Sequence, residues 1–199
     1  MSARSVTVVD LGASNTASMM FALERLGARA RLSADPRAIA EAERLILPGV
    51  GHAAFVMERI RVKGLEGPLK TFPRPLFGAC LGMQLLFSAT AEGEAACLGR
   101  LPGEVRALAP GARMPVPHMG WNRLEHVAAH PLLEGVARGA HVYFVHSYAV
   151  PVGAVTIAAA DYGGRFTALA GAGNVMGAQF HPERSGAVGA RILANFLAC

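Results

Sequence analysis

At 199 residues, of which 52% are hydrophobic, 17% charged and 7% aromatic, the chain suits one domain with a single sizeable core. That composition excludes intrinsic disorder, which needs few apolar groups and much net charge. The 19 Lys and Arg against 14 Asp and Glu give a formal net charge of +5. The basic residues are scattered and almost all arginine, without a run or an interleaved aromatic stripe, so no nucleic-acid partner is expected. Three cysteines, Cys80, Cys97 and Cys199, are an odd number without metal-type spacing, which removes a disulfide scaffold and a four-cysteine zinc site. The seven histidines show no zinc-ligand pattern, so neither metal nor cofactor is expected. The apolar stretch 150–160 contains Pro151 and Gly153 and is about half the length of a membrane span. With no leader-like apolar region after Met1-Ser2-Ala3-Arg4-Ser5, the expectation is a cytoplasmic protein with no membrane partner.

Short apolar runs alternate with helical patterns along the first half, the signature of a parallel sheet covered on both faces. Residues 6–9 read as a first buried strand. After the turn at 12–15, Met19, Met20, Leu23 and Leu26 recur at helical spacing, with Gly27 placed as a C-cap. A second strand follows at 28–32. Asp35-Pro36 then reads as an N-cap with proline at the first helical position. Leu45-Ile46-Leu47 is a third strand, ended by Pro48-Gly49-Val50-Gly51. Phe55, Val56, Arg59 and Ile60 indicate a helix, and Pro75-Leu76-Phe77 a fourth strand. The second half reads as strands at 102–107, 121–124, 141–150, 155–161, 166–170 and 175–180, parted by turn signals such as Gly163-Gly164. These are expected to add antiparallel to the central sheet. A helix over 186–198 closes the chain. The fold class expected is α/β, a flavodoxin-like open and mostly parallel sheet with helices on both faces, spanning residues 1–199 as one domain.

The sharpest chemical signal is Gly78-Ala79-Cys80-Leu81-Gly82, directly after a strand and before a helix-like apolar run. It is a nucleophile-elbow pattern with cysteine in place of serine. So sharp a turn strains the central residue and crowds the positions two before and two after it, where glycine fits. It also sets the sulfur at a helix N-terminus, which favours thiolate. Taken alone, the pattern equally describes a small core cysteine in a tight turn. About a hundred residues on, the strand at 175–180 ends in His181-Pro182-Glu183. Proline biases His181 toward extended backbone. In an extended segment His181 and Glu183 project to one face, within reach of a shared hydrogen bond. A thiol nucleophile needs a base, and the base needs a group that fixes its tautomer; Cys80, His181 and Glu183 fill these roles in order. Attack on an amide creates an oxyanion needing two donors. The N–H of Leu81 is one, and the glycine-rich loop at 48–51 is placed to supply the other.

Three segments together resemble the class I, triad-type glutamine amidotransferases: Pro48-Gly49-Val50-Gly51, Gly78-Ala79-Cys80-Leu81-Gly82-Met83-Gln84-Leu85-Leu86, and Gln179-Phe180-His181-Pro182-Glu183-Arg184-Ser185. Pro117-His118-Met119-Gly120-Trp121-Asn122 and Tyr143-Phe144-Val145-His146-Ser147-Tyr148 narrow the resemblance to the glutaminase subunits of imidazole glycerol phosphate synthases, from histidine biosynthesis. The resemblance runs over essentially the whole chain. It departs from the family pattern at Leu11, often aromatic there, at Ala79, often β-branched, and at Arg184, commonly lysine.

The resemblance implies hydrolysis of L-glutamine to glutamate and ammonia, with Cys80 as nucleophile, His181 as acid and base, and Glu183 orienting the ring. It implies an oxyanion hole from the Val50 and Leu81 N–H groups. Gly49, Gly51, Gln84 and Glu92 are then expected to line the substrate pocket, with Ser147 and Tyr148 meeting the α-carboxylate. It further implies a heterodimer with a (β/α)-barrel cyclase subunit, which consumes the ammonia and whose ligand stimulates the glutaminase. Asn15, Trp121, Asn122, Tyr143 and Arg184 align with positions facing that partner. Three other readings stay open from the sequence: the glutaminase of vitamin B6 synthesis, a γ-glutamyl peptidase on the same triad, and a non-catalytic flavodoxin-like binding module with a structural cysteine.

Overall fold

The structure is a computed structural model that describes residues 4–12, 16–109, 111 and 114–199. The first half winds as β1 (Ser5–Val9), α1 (Ala17–Arg25), β2 (Arg29–Ser33), α2 (Pro36–Ala40), β3 (Leu45–Leu47), α3 (Ala53–Val62), α4 (Glu66–Thr71), β4 (Leu76–Ala79) and α5 (Leu81–Gln84). The second half holds β5 (Ala89–Thr90), β6 (Ala95–Ala96), β7 (Glu104–Ala107), β8 (His118–Arg123), β9 (Glu125–His126), β10 (His141–His146) and β11 (Tyr148–Ala149). It ends with β12 (Thr156–Asp161), β13 (Arg165–Ala172), β14 (Val175–Ala178) and α6 (Gly186–Ala198). Among the described residues, the main sheet has eight strands in the order β2-β1-β3-β4-β14-β13-β12-β9. The first five are parallel and the last three antiparallel.

Alternation along the buried strands explains why they read as unbroken apolar runs. Val6, Val8, Ile46, Phe77 and Met176 enter one core with Met19 and Leu23 of α1 and Ile192, Leu193 and Phe196 of α6. Val9, Leu45, Leu47, Leu76 and Val175 enter the other, against Ile39 of α2, Val56, Met57 and Ile60 of α3 and Leu69 of α4. Both faces of the sheet are thus covered by helices. No helix among the described residues is long and apolar enough to cross a membrane.

Two expectations need correction. The strands at 102–107, 121–124 and 141–150 do not join the central sheet. β8 pairs with β10 as a separate ribbon, and β7 lies between β11 and β5 in a small sheet. The segment 141–150 is also broken at Ser147, so that His146 pairs with His118 while Tyr148 pairs with Ala107. The helix after the elbow is a single turn of four residues, and so carries little of the dipole expected of a long helix.

Candidate active site at the strand tips

The elbow follows β4, whose backbone passes into Cys80 at φ 52 and ψ −114, a left-handed conformation for a residue with a side chain. Close packing enforces it. A Cβ on Gly82 would collide with the Leu47 carbonyl oxygen, and one on Gly78 would stand 2.6 Å from the Gly82 oxygen and Met83 Cα. The elbow therefore presses against the end of β3, and no side chain larger than hydrogen fits at either glycine. A Cβ on Gly49 would lie 2.6 Å from the Gly82 nitrogen, so the loop after β3 rests directly on the elbow.

β4 pairs in parallel with β14, and the Cys80 N–H donates to the Ala178 carbonyl at 2.8 Å. The two strand tips thereby sit side by side. His181, three residues past Ala178, is extended at φ −92 and ψ 97. Its Nδ1 lies 2.8 Å from Glu183 Oε1, and the ring lines the same cleft as the Cys80 side chain. The reason for the His181–Glu183 contact differs from the expected one. The strand stops at Ala178, and Pro182–Arg184 form a 3-10 turn that folds the carboxylate back onto the ring. Burial works against charge on His181, but hydrogen bonds to Cys80 and Glu183 and the charges of both outweigh it, raising its pKa to about 10. The imidazolium is thus the favoured form beside the sulfur. Glu183 Oε2 is buried without a hydrogen-bond partner among the described residues, so this carboxylate is committed to the ring.

The sulfur of Cys80 faces the Val145 carbonyl at 3.7 Å and the Gln179 Nε2 at 3.9 Å. It opens into a cleft of about 170 Å³ lined by Val50, Gly51, Leu81, Gln84, Glu92, Val145, His146, Ser147, Tyr148 and His181. All the residues expected at the substrate or oxyanion positions line this cleft except Gly49, which stands behind the elbow. Gln84 is buried, its amide donating to the Tyr148 carbonyl at 2.8 Å and to Gln179 Oε1 at 3.0 Å. Glu92 accepts from the Ala53 N–H at 2.7 Å, which ties the cleft wall to the start of α3. Sequence reasoning gave no role to Gln179, Val145 or His146. Gln179 stands two residues before His181 but past the end of β14, and no local pattern marks it.

Trp121 is 57% exposed and Met119 63%, so the lone tryptophan is a surface residue. Tyr143 lies directly opposite it in the ribbon, the rings meeting edge to face at 5.9 Å. The Tyr143 carbonyl accepts the His181 N–H at 3.0 Å, and exposed Arg184 follows in the 3-10 turn. Asn122 neighbours Trp121 on β8. Asn15, expected on the same face, lies outside the described residues.

The class-I glutamine amidotransferase family matches residues 7–199. The chain is 54% identical over 192 residues, covering 96% of each chain, to imidazole glycerol phosphate synthase subunit HisH of Xylella fastidiosa, strain Temecula1. It is 53% identical, with the same coverage, to the HisH subunit of Xanthomonas oryzae pv. oryzae. Among solved structures, a glutamine amidotransferase crystal structure superposes with a TM-score of 0.75 at 24% identity, covering 97% of each chain. The structure of PurLQS from Thermotoga maritima gives a TM-score of 0.71 at 21% identity, over 98% of each chain. A thiol at a strained strand-to-helix turn, an imidazole and carboxylate at the adjoining strand tip, and this breadth of similarity place the chain in the class-I glutamine amidotransferase family.

Proposed function

We propose that this chain is the glutaminase subunit of an imidazole glycerol phosphate synthase, acting in histidine biosynthesis as one glutaminase domain paired with a (β/α)-barrel cyclase in the cytoplasm. The observation that carries the reading is Cys80 and His181 meeting at one cleft, with Glu183 Oε1 2.8 Å from the His181 ring. The relatives of more than half identity over nearly the whole chain supply the pathway.

The reaction follows from the positions of these groups. The Cys80 sulfur, its proton held by His181, attacks the carboxamide carbon of glutamine. The Val50 and Leu81 N–H groups receive the oxyanion. As the C–N bond breaks, the imidazolium gives its proton to the departing nitrogen, releasing ammonia and leaving a thioester. The neutral ring then takes a proton from water, whose oxygen attacks the thioester carbon and frees glutamate and the sulfur. Glu183 keeps the ring's orientation through both halves. Gly51, Gln84, Glu92 and the Ser147-Tyr148 backbone border the amino-acid end of the substrate.

Trp121, Tyr143 and Arg184 form the docking face for the cyclase, an exposed tryptophan against a half-buried tyrosine and an arginine being a common anchor. The Gly49-Val50 peptide is the element through which the partner's ligand raises activity, since its N–H completes the oxyanion hole and Gly51 is its hinge. The test is to mix the chain with a barrel cyclase and its nucleotide substrate and follow glutamate release. Native chain is expected to hydrolyse glutamine in the complex, and Cys80→Ala is not. Equal release from both ends the reading.

A further inference from the structure

Two buried histidines, His146 in the cleft wall and His118 behind it across the ribbon, have no use in the reaction. His118 is 3% exposed and His146 6%. They face each other across the β8–β10 ribbon, His118 Nδ1 lying 2.9 Å from His146 Nε2. His146 Nδ1 lies 2.9 Å from the Tyr148 carbonyl oxygen, and Asn122 Nδ2 lies 3.4 Å from His118 Nε2. Desolvation holds both rings far below the ordinary imidazole value, at about 4, so both are neutral near pH 7.

Neutrality fixes the direction of every bond. A carbonyl only accepts, so His146 carries its proton on Nδ1 and donates it to Tyr148. Its Nε2 is then an acceptor, which requires the proton of His118 on Nδ1. His118 Nε2 is in turn an acceptor, filled by the Asn122 amide. That amide's other hydrogen goes to the Asp161 carbonyl at 2.8 Å, and its oxygen accepts the Arg123 N–H at 2.7 Å. Beyond the histidines, the same Tyr148 carbonyl accepts from Gln84, Gln84 donates to Gln179, and Gln179 donates to the Cys80 sulfur. The chain of contacts is continuous from Asn122, on the edge that carries Trp121, to the nucleophile.

We propose that His118 and His146 are positioning residues of the glutaminase site. Their one-way hydrogen-bond chain sets the Tyr148 carbonyl, and through it the Gln84–Gln179 pair that donates to the Cys80 sulfur, so that a shift of Asn122 at the ribbon edge is felt at the sulfur. The inference rests on the glutaminase reading of the cleft. A purely packing role is the competing account, because His118 stacks on Tyr162 with centroids 4.0 Å apart and on Phe144 at 4.9 Å.

Two substitutions separate the accounts. His118→Phe keeps a stacking ring and loses the donor; His118→Asn keeps a donor near the Nδ1 position and loses the ring. In complex with the barrel cyclase, His118→Phe is expected to lower kcat for glutamine, and the rate at which an electrophilic glutamine analogue alkylates Cys80, by about tenfold. His118→Asn is expected to recover most of both. If Phe is tolerated and Asn is not, the role is packing and the proposal is wrong, with the glutaminase reading intact. If the native complex neither hydrolyses glutamine nor is alkylated, the reading itself fails and takes the proposal with it. Imidazole nitrogen-15 spectra of the native chain need no variant. They should show both rings neutral at pH 7 with the proton on Nδ1, and a proton on Nε2 of either ring, or a charged ring, overturns the proposal.

Discussion

The His181 Nδ1 atom stands 2.8 Å from Glu183 Oε1 although the two residues are not in a strand: the 3-10 turn Pro182–Arg184 brings the carboxylate back over the ring. The contact holds the ring in one orientation at the strand tip. Glu183→Gln keeps the shape and removes the charge. Its kcat is expected to fall by about 100- to 10,000-fold, the usual contribution of a positioned acid–base group, with glutamine KM nearly unchanged. A fall within threefold would show that the ring is oriented by something else.

Cys80 and Glu183 together, acting on His181, make stability depend on pH. The folded-state pKa of His181, about 10, lies above its ordinary value of 6.5. The native state therefore holds the extra proton, and this contribution is complete below pH 6.5 and lost as pH rises through about 10. Comparing thermal midpoints of native chain and His181→Gln from about pH 6 to 10.5, the native advantage is expected to shrink steadily. An advantage that grows with pH would contradict the sign.

Gly49 and Gly51 flank the same peptide but are held for different reasons. Gly51 sits at φ +99 with open space where a Cβ would go, whereas a Cβ on Gly49 would meet the Gly82 nitrogen at 2.6 Å and Leu81 Cβ at 2.9 Å. Gly51→Ala strains one backbone conformation by about 1–3 kcal/mol, and is expected to cut partner-stimulated turnover while the complex still forms with native affinity. Gly49→Val should displace the elbow, lowering basal and stimulated hydrolysis together. Isothermal titration beside glutamate assays distinguishes the two patterns.

Trp121 is more than half exposed, with Tyr143 as its edge-to-face neighbour. Replacing it by alanine should change the thermal midpoint little, since surface changes usually stay within about 0.5 kcal/mol. Affinity for the barrel cyclase should drop by about 30-fold, as for a buried aromatic anchor of about 2 kcal/mol. Unchanged affinity would move the docking face elsewhere.

The first half of the fold was legible because buried parallel strands are short apolar runs and their helices carry a 3.6-residue pattern. α4 was not, since it contains Gly67 and Pro68, both poor helix formers, although Leu65, Leu69 and Phe72 are buried at helical spacing. β5, β6 and β9 have two residues each, too few for any period. The start of β8 at His118 was hidden by Gly120, whose φ of +135 breaks the alternation. The change of partner at Ser147 depends on which strand lies alongside, which no local pattern encodes. The thiol, imidazole and carboxylate were legible because a strained turn and a proline each leave a sequence mark. Gln179 and the His118–His146 pair were not, because a buried polar network is defined by what meets across strands.

The most direct test of the account is where an electrophilic glutamine analogue attaches when the chain is bound to a barrel cyclase. The three cysteines are all free. Burial pushes the Cys97 thiol up to about 11 and raises that of Cys199, so neither competes as a thiolate near neutral pH. Peptide mass spectrometry is expected to find one label per chain, on Cys80, abolished by excess glutamine and absent from Cys80→Ala. A label on Cys97 or Cys199 with Cys80 untouched would contradict it.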